Sequence, residues 1–204
     1  MNWLSKRRVY AMIEYLYIIL ASTVFGLQHS GMSALAIKGK IIDRWGKEGY
    51  ARLFTTSSVI TLLIAFISMN FWDWLYFVMN PVLIQPLLFT SGVILGIIGV
   101  IIAMMATRVI SVSTVADMRT DRKAELVTGG IYSRVRHPLY LATVLVLLAL
   151  SLIYPFLPVF VFSLCMIFYT MIGAYFEERK LVLHYGDEYL EYRKRAGFII
   201  PRIG

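Results

Sequence analysis

The chain has 204 residues, of which 59% are hydrophobic and only 16% charged, with a formal net charge of +8. Soluble domains run at roughly 45–50% apolar and about 25% charged, and the apolar excess here comes in long blocks, which excludes an ordinary soluble domain and points to spans in lipid. In so apolar a chain the Lys and Arg mark loops facing anionic headgroups rather than a nucleic-acid surface, and the lone Cys165 forms no intrachain disulfide.

Five hydrophobic segments follow in chain order. The first, 10–27, comes after Lys6, Arg7 and Arg8 and carries Glu14 one turn inside. No small-residue cleavage site follows it, so it reads as a retained span. The second, 54–79, is interrupted near 70–74, and the third, 86–107, has Gly92, Gly96 and Gly99 at a spacing that permits close helix packing. The fourth, 139–154, is short against the roughly 17–25 helical residues that cross a bilayer. The fifth is 156–176. Between these two, Tyr154-Pro155-Phe156-Leu157-Pro158 predicts a tight turn, because both prolines disrupt a continuous helix, and the last two segments form a helical hairpin.

Charge orients the segments. The stretch 70–85 carries Asp73 and no Lys or Arg, and the 154–158 turn is uncharged, so both belong outside. The basic stretches 38–52, 108–136 and 179–202 belong inside as cytoplasmic loops and tail, which leaves Lys6, Arg7 and Arg8 on the side the rule disfavours. Trp72, Trp74 and Tyr76 suit the headgroup layer.

Chemistry concentrates in two polar clusters at the same end of the hairpin. The first is LVTGGIYSRVRHPLY, residues 126–140. Gly129-Gly130 is a turn signal, and Pro138 after His137 suits the first turn of a helix. The free amides of that helix start favour an anionic group, Arg134 and Arg136 add positive charge, and Tyr132 and Tyr140 offer faces that stack on a purine or ribose. A positively charged flank with interfacial tyrosines would explain the arginines and tyrosines, but not Gly-Gly and His-Pro within the same fifteen residues. The second cluster is Glu177-Glu178-Arg179-Lys180 at the end of the fifth segment. An acidic pair at this depth needs a partner, either Arg179 or Lys180, or the amine or ribose hydroxyls of a cofactor. Beyond it, HYGDEYLEYRKRAGFIIP is amphipathic, with Tyr185, Tyr189 and Tyr192 at helical spacing, and reads as an interfacial helix resting on headgroups.

Other chemistries lack their motifs. The chain has no Walker loop, no G-x-S-x-G and no CxxC, and His29, His137 and His184 lack metal-ligand spacing, so no metal site is expected. His29 reads as a helix-end or packing residue.

At the two clusters the chain resembles the isoprenylcysteine carboxyl methyltransferase family, within the wider group of integral-membrane phospholipid methyltransferases. The resemblance covers roughly 115–202 and rests on Arg-His-Pro-x-Tyr, the hairpin, FEERKLVLHYGDEYLEYRKR and a terminal Ile-Pro. It implies S-adenosylmethionine as methyl donor, with S-adenosylhomocysteine as product. It further implies a cofactor pocket lined by Ala124, Glu125, Leu126, Val127, Tyr132, His137, Pro138, Leu139, Tyr140 and Glu178. Arg136 and Glu178 are the candidate catalytic residues, Arg136 steering an acceptor carboxylate. A carboxylate is already a nucleophile, so its methylation needs positioning and exclusion of water rather than a strong base. Gly173-Ala174-Tyr175 stands where eukaryotic prenylcysteine enzymes carry an Arg that contacts substrate, so phospholipid, thiol and amine acceptors stay open.

The expected architecture is an all-α integral-membrane fold of about five transmembrane helices. It has a cytoplasmic cofactor pocket and an interfacial C-terminal helix. One membrane domain, 1–204, comprises three N-terminal spans (1–107) and a cofactor-binding loop, hairpin and amphipathic segment (108–204). Loop 108–136 is a candidate lid. The partners are membrane lipids and a lipophilic or lipidated acceptor arriving from the bilayer. The competing readings are a sterol-reductase-like enzyme using NADPH, against which the short length argues, and a membrane scaffold without enzymatic activity.

Overall fold

A computed structural model describes residues 3–109 and 126–202. Seven α-helices occur among them: α1 (Trp3–Ser33), α2 (Leu35–Ile67), α3 (Phe71–Met79), α4 (Pro86–Val109), α5 (Pro138–Ile153), α6 (Leu157–Tyr185) and α7 (Asp187–Arg195). Three are long and apolar enough to cross a membrane: α2 from Ala36, α4 and α6; α5 is a shorter apolar helix. Side chains such as Ile94, Ile97, Val100 and Phe168 are exposed. Helices this apolar on their outer faces are stable only in lipid, where all their backbone groups bond internally. The fold is that of an all-α integral-membrane protein.

The structure moves several predicted boundaries. The basic stretch 38–52 is helical from Leu35 rather than a loop, broken only at Gly46, whose φ of 70° leaves helical geometry. Lys, Arg and Glu are good helix formers, and Arg52 pairs with Glu48 one turn away at 3.2 Å. The interruption of the second segment falls at 68–70 rather than 70–74: Asn70 adopts φ 60°, a left-handed conformation Asn tolerates better than most residues, and the helix resumes at Phe71. Pro158 lies inside the first turn of α6, where its missing N–H leaves nothing unpaired, so the turn contracts to 154–156.

The helices group into two compact units. The first gathers α1 to α3 and the part of α6 through Tyr169. There Gln28 donates to Ser57 Oγ (2.7 Å) and accepts from Thr61 (3.1 Å). His29 meets Ser58 Oγ at 3.2 Å and packs against Phe25 and Phe54. These polar links join α1 to α2 where water is scarce, so His29 has a packing role, as its place at a helix end suggests. The second unit holds α4, α5, the rest of α6 and α7. α4 and α5 run antiparallel through glycines. A Cβ on Gly92 would lie 2.7 Å from Ile153, and one on Gly99 3.0 Å from Val146 and 3.1 Å from the Ala142 carbonyl. Early in α5, Tyr140 packs against Gly173, late in α6, as the hairpin requires.

Candidate active site

The first cluster begins without regular secondary structure at 126–128 and turns at Gly130, whose φ of 61° suits glycine. A single 3-10 turn, Gly130–Ser133, follows, with the Tyr132 amide donating to Gly129 O. The next four residues are held by the C-terminal segment. Val135 and Gly197 form a parallel bridge. The Arg136 amide donates to Gly197 O at 2.8 Å, the His137 amide to Phe198 O at 3.1 Å, and the Gly197 amide to Arg134 O at 3.0 Å. A Cβ at Gly197 would overlap Ile200 O, so the tight return of the chain needs glycine. Pro138 then opens α5.

Around this clasp the charged groups are inside the protein. Arg136 Nη2 donates to Glu178 Oε1 at 2.9 Å, and the two side chains are only 9% and 11% exposed. Arg193 Nε, from α7, meets the same oxygen at 3.0 Å. Arg136 Nη1 donates to the Ala196 and Arg193 carbonyls, and its guanidinium lies over the Phe198 ring. Both terminal nitrogens of Arg136 are therefore engaged within the protein. His137, 3% exposed, sits between Tyr140 and Phe198. Its Nε2 is 3.8 Å from Glu178 Oε2, too long for a hydrogen bond. Burial, and secondly the Arg136 charge, hold the His137 pKa down at about 4, so the imidazole is neutral at pH 7.

Glu178 lies well inside α6, which continues to Tyr185, so its charge does not face a helix C-terminus. The partners of Glu178 are Arg136 and Arg193 rather than the neighbouring Arg179 or Lys180. Tyr132 is buried, and burial followed by the Glu177 charge pushes its pKa up to about 12. Leu126 packs against the cluster of Tyr185, Tyr189, Tyr192 and Ala196; Val127 is half-buried, Pro138 buried and Leu139 exposed. Ala124, Glu125 and most of the candidate lid lie outside the described residues.

A profile of the phospholipid methyltransferase family matches residues 87–188. The chain belongs to the phospholipid methyltransferase family. It is also 27% identical over 202 residues to methanethiol S-methyltransferase 2 of Bradyrhizobium diazoefficiens, covering 91% of this chain and 72% of that protein. No solved structure matches the chain. The protein is an integral-membrane methyltransferase of this family.

The family match spans α4 to the start of α7 and so contains Arg136, His137 and Glu178. It ends before Tyr189, Tyr192, Arg193 and Gly197, which sequence reading missed as parts of the site. The tail tyrosines, expected against headgroups, are instead buried in the protein: Tyr189 is 1% and Tyr192 3% exposed. Tyr192 donates to Tyr132 O at 2.6 Å. Their helical spacing would serve an interface or a core equally, so the sequence carried no signal to separate the two. The Gly between the Tyr-rich helix and Ile-Pro was the one available hint of a tight return.

Proposed function

We propose that this methyltransferase transfers the methyl group of S-adenosylmethionine to a lipophilic acceptor entering from the bilayer. The observation that carries the reading is the buried meeting of Arg136, His137 and Glu178 at the start of α5, within the family-matching stretch.

The residues present fit such a donor. Arg136 Nε and His137 Nε2 are buried without hydrogen-bond partners, and Glu178 Oε2 is the oxygen that neither arginine takes. Glu178 Oε2 would hold the amine or ribose hydroxyls. Tyr132, Tyr140, His137, Pro138 and Leu139, with Ala124, Glu125, Leu126 and Val127, would line the pocket. When bound, the donor supplies an electrophilic methyl on a sulfonium. The protein's part is to orient donor and acceptor and to exclude water. The basic loops argue for a cytoplasmic site.

A small thiol is the acceptor favoured by the relative that aligns with 91% of the chain. A thiol must lose its proton before it attacks. His137, whose pKa burial holds down at about 4, is a poor base for that step. The carboxylate of an isoprenylcysteine-like acceptor is the second reading. It is favoured by the Arg-His-Pro-x-Tyr resemblance.

The test is calorimetric binding of S-adenosylhomocysteine, with NADPH in parallel, to the folded protein in detergent. Transfer of labelled methyl to a small thiol and to a prenylated cysteine in proteoliposomes follows. Saturable binding of S-adenosylhomocysteine alone supports the donor. Binding of NADPH alone would replace it with a reductase, and binding of neither would favour a scaffold. The labelled product separates thiol from carboxylate.

A further inference from the structure

Helix α2 is longer than a bilayer needs, and its first part differs in kind from the rest. Its 33 residues would extend about 50 Å if straight, against a hydrocarbon core of about 30 Å. Gly46 divides it. With φ 70° and ψ 174° this residue leaves helical geometry, in a conformation that residues other than glycine rarely adopt. The part after it, 47–67, is long enough by itself to cross the core. Lys38 and Tyr50 show that the axis turns here. A straight helix would hold them about 18 Å apart along its axis, yet Lys38 Nζ is 5.5 Å from the centre of the Tyr50 ring. The Tyr50 hydroxyl in turn donates to Met32 O at 3.2 Å, near the end of α1. The segment 35–45 therefore leaves the line of the span and is tied to the junction of α1 and α2.

That segment is amphipathic. Ile37, Ile41 and Trp45 recur at helical spacing on one side, and Lys40 and Arg44 recur on a flank beside it. Gly39 is buried, whereas Ile37, Trp45, Lys40 and Arg44 are all exposed. The Arg44 guanidinium lies over the Trp45 ring. Lys38, Lys40 and Arg44 stand against Asp43, which leaves a positive surplus. A stripe of isoleucine and tryptophan flanked by cations fits a bilayer surface with acidic headgroups, which takes up the apolar side and the charge together. A second copy packed on the same face would bring like charges together, so charge complementarity favours the lipid.

We propose that the segment 35–45 is a membrane-surface helix that gathers anionic phospholipid beside α1 and α2. Ile37, Ile41 and Trp45 sink to the level of the upper acyl chains, and Lys40 and Arg44 hold lipid phosphates. These residues lie in the first unit, whereas Arg136 and Glu178 lie in the second, and lipid binding there requires no methyl transfer.

The experiment reads Trp45 fluorescence in the full chain reconstituted into phosphatidylcholine vesicles. A small, equal share of brominated phosphatidylcholine or brominated phosphatidylglycerol is added as quencher, with the bromines near the headgroup end of the acyl chains. The difference between wild type and Trp45→Phe isolates the Trp45 emission. Brominated phosphatidylglycerol should quench it at least about twofold more than brominated phosphatidylcholine, and the excess should fall away in about 0.5 M salt. Joint replacement Lys40→Gln and Arg44→Gln should remove the excess at low salt, with thermal unfolding as the check that the variant is folded. Trp45 emission that neither lipid quenches would place the stripe in water or against protein, a second copy included, and overturn the surface helix. Equal quenching by both lipids, or an excess that survives salt, would overturn the selection of anionic headgroups. The salt titration uses neither charge substitution, so a misfolded double variant would not leave that selection undecided.

Discussion

Arg136 Nη2 donates to Glu178 Oε1 at 2.9 Å across 42 positions of sequence, joining the loop before α5 to the interior of α6. Arg193 adds a second cation to the same oxygen from α7, but its side chain is 45% exposed against 9% for Arg136. The two arginines therefore differ in what their removal costs.

Replacing Glu178 by Ala strands the Arg136 charge in the interior. Loss of one partner of a buried pair costs about 3–5 kcal/mol. Arg193→Ala removes a half-exposed, solvent-screened charge and should cost at most about 1 kcal/mol. Thermal unfolding of both variants in one detergent checks the ranking; equal destabilisation would show that Glu178 does not depend mainly on Arg136. Glu178→Ala, His137→Ala and Tyr140→Ala should each abolish binding of S-adenosylhomocysteine in protein that remains folded.

Gly197→Ala tests the clasp. A methyl there meets Ile200 O, a backbone atom that cannot rotate away, so the return of the chain onto Arg134 must shift. Overpacking of this kind costs about 1–3 kcal/mol. Because the Arg136 and His137 amides bond to Gly197 O and Phe198 O, nucleoside binding should weaken as well. Wild-type melting temperature and affinity in Gly197→Ala would count against the clasp.

Tyr192→Phe deletes the hydroxyl that donates to Tyr132 O and leaves that carbonyl buried without this donor. The expected loss is about 1–3 kcal/mol, read as a fall in unfolding temperature. An unchanged temperature would mean another donor takes over.

His137 gives the protein an acid-sensitive term. Its folded pKa is lowered from 6.5 to about 4, by burial first and by Arg136 second. The unfolded chain takes up a proton as pH falls through 6.5, while the folded protein resists until about pH 4. Stability from this group is therefore whole above pH 6.5 and declines as pH falls toward 4, by roughly 3 kcal/mol at the full shift. Melting temperatures between pH 7 and pH 4 should drop less steeply in His137→Gln than in wild type. Parallel slopes would remove His137 as the cause.

Packing between α4 and α5 rests on absent side chains. Gly99→Ile puts a branched chain where a Cβ alone is already 3.0 Å from Val146 and 3.1 Å from Ala142 O. Small residues let membrane helices approach closely, so this variant should yield less folded protein in detergent than Gly96→Ala, whose Cβ meets only Ala149 at an ordinary 3.4 Å. Equal yields would mean that α4 and α5 tolerate wider spacing.

Hydropathy alone determined the membrane helices, because backbone groups in lipid must bond within the segment and a long apolar run has no other stable form. The start of α5 was equally legible: proline at a first helical position is a local rule, and Arg136-His137-Pro138 needed no distant partner to be recognised. Tertiary structure decided which groups serve Glu178. Its neighbours Arg179 and Lys180 were the obvious partners in sequence, yet α6 carries the glutamate inward to Arg136 and Arg193. The tail shows the same limit. Tyrosines one helical turn apart satisfy a headgroup layer or a protein core equally; packing with Leu126, Leu181 and Val182 and the bond to Tyr132 O make Tyr189 and Tyr192 interior. Contacts across 42 to 60 positions depend on where whole helices pack, which a local pattern does not encode.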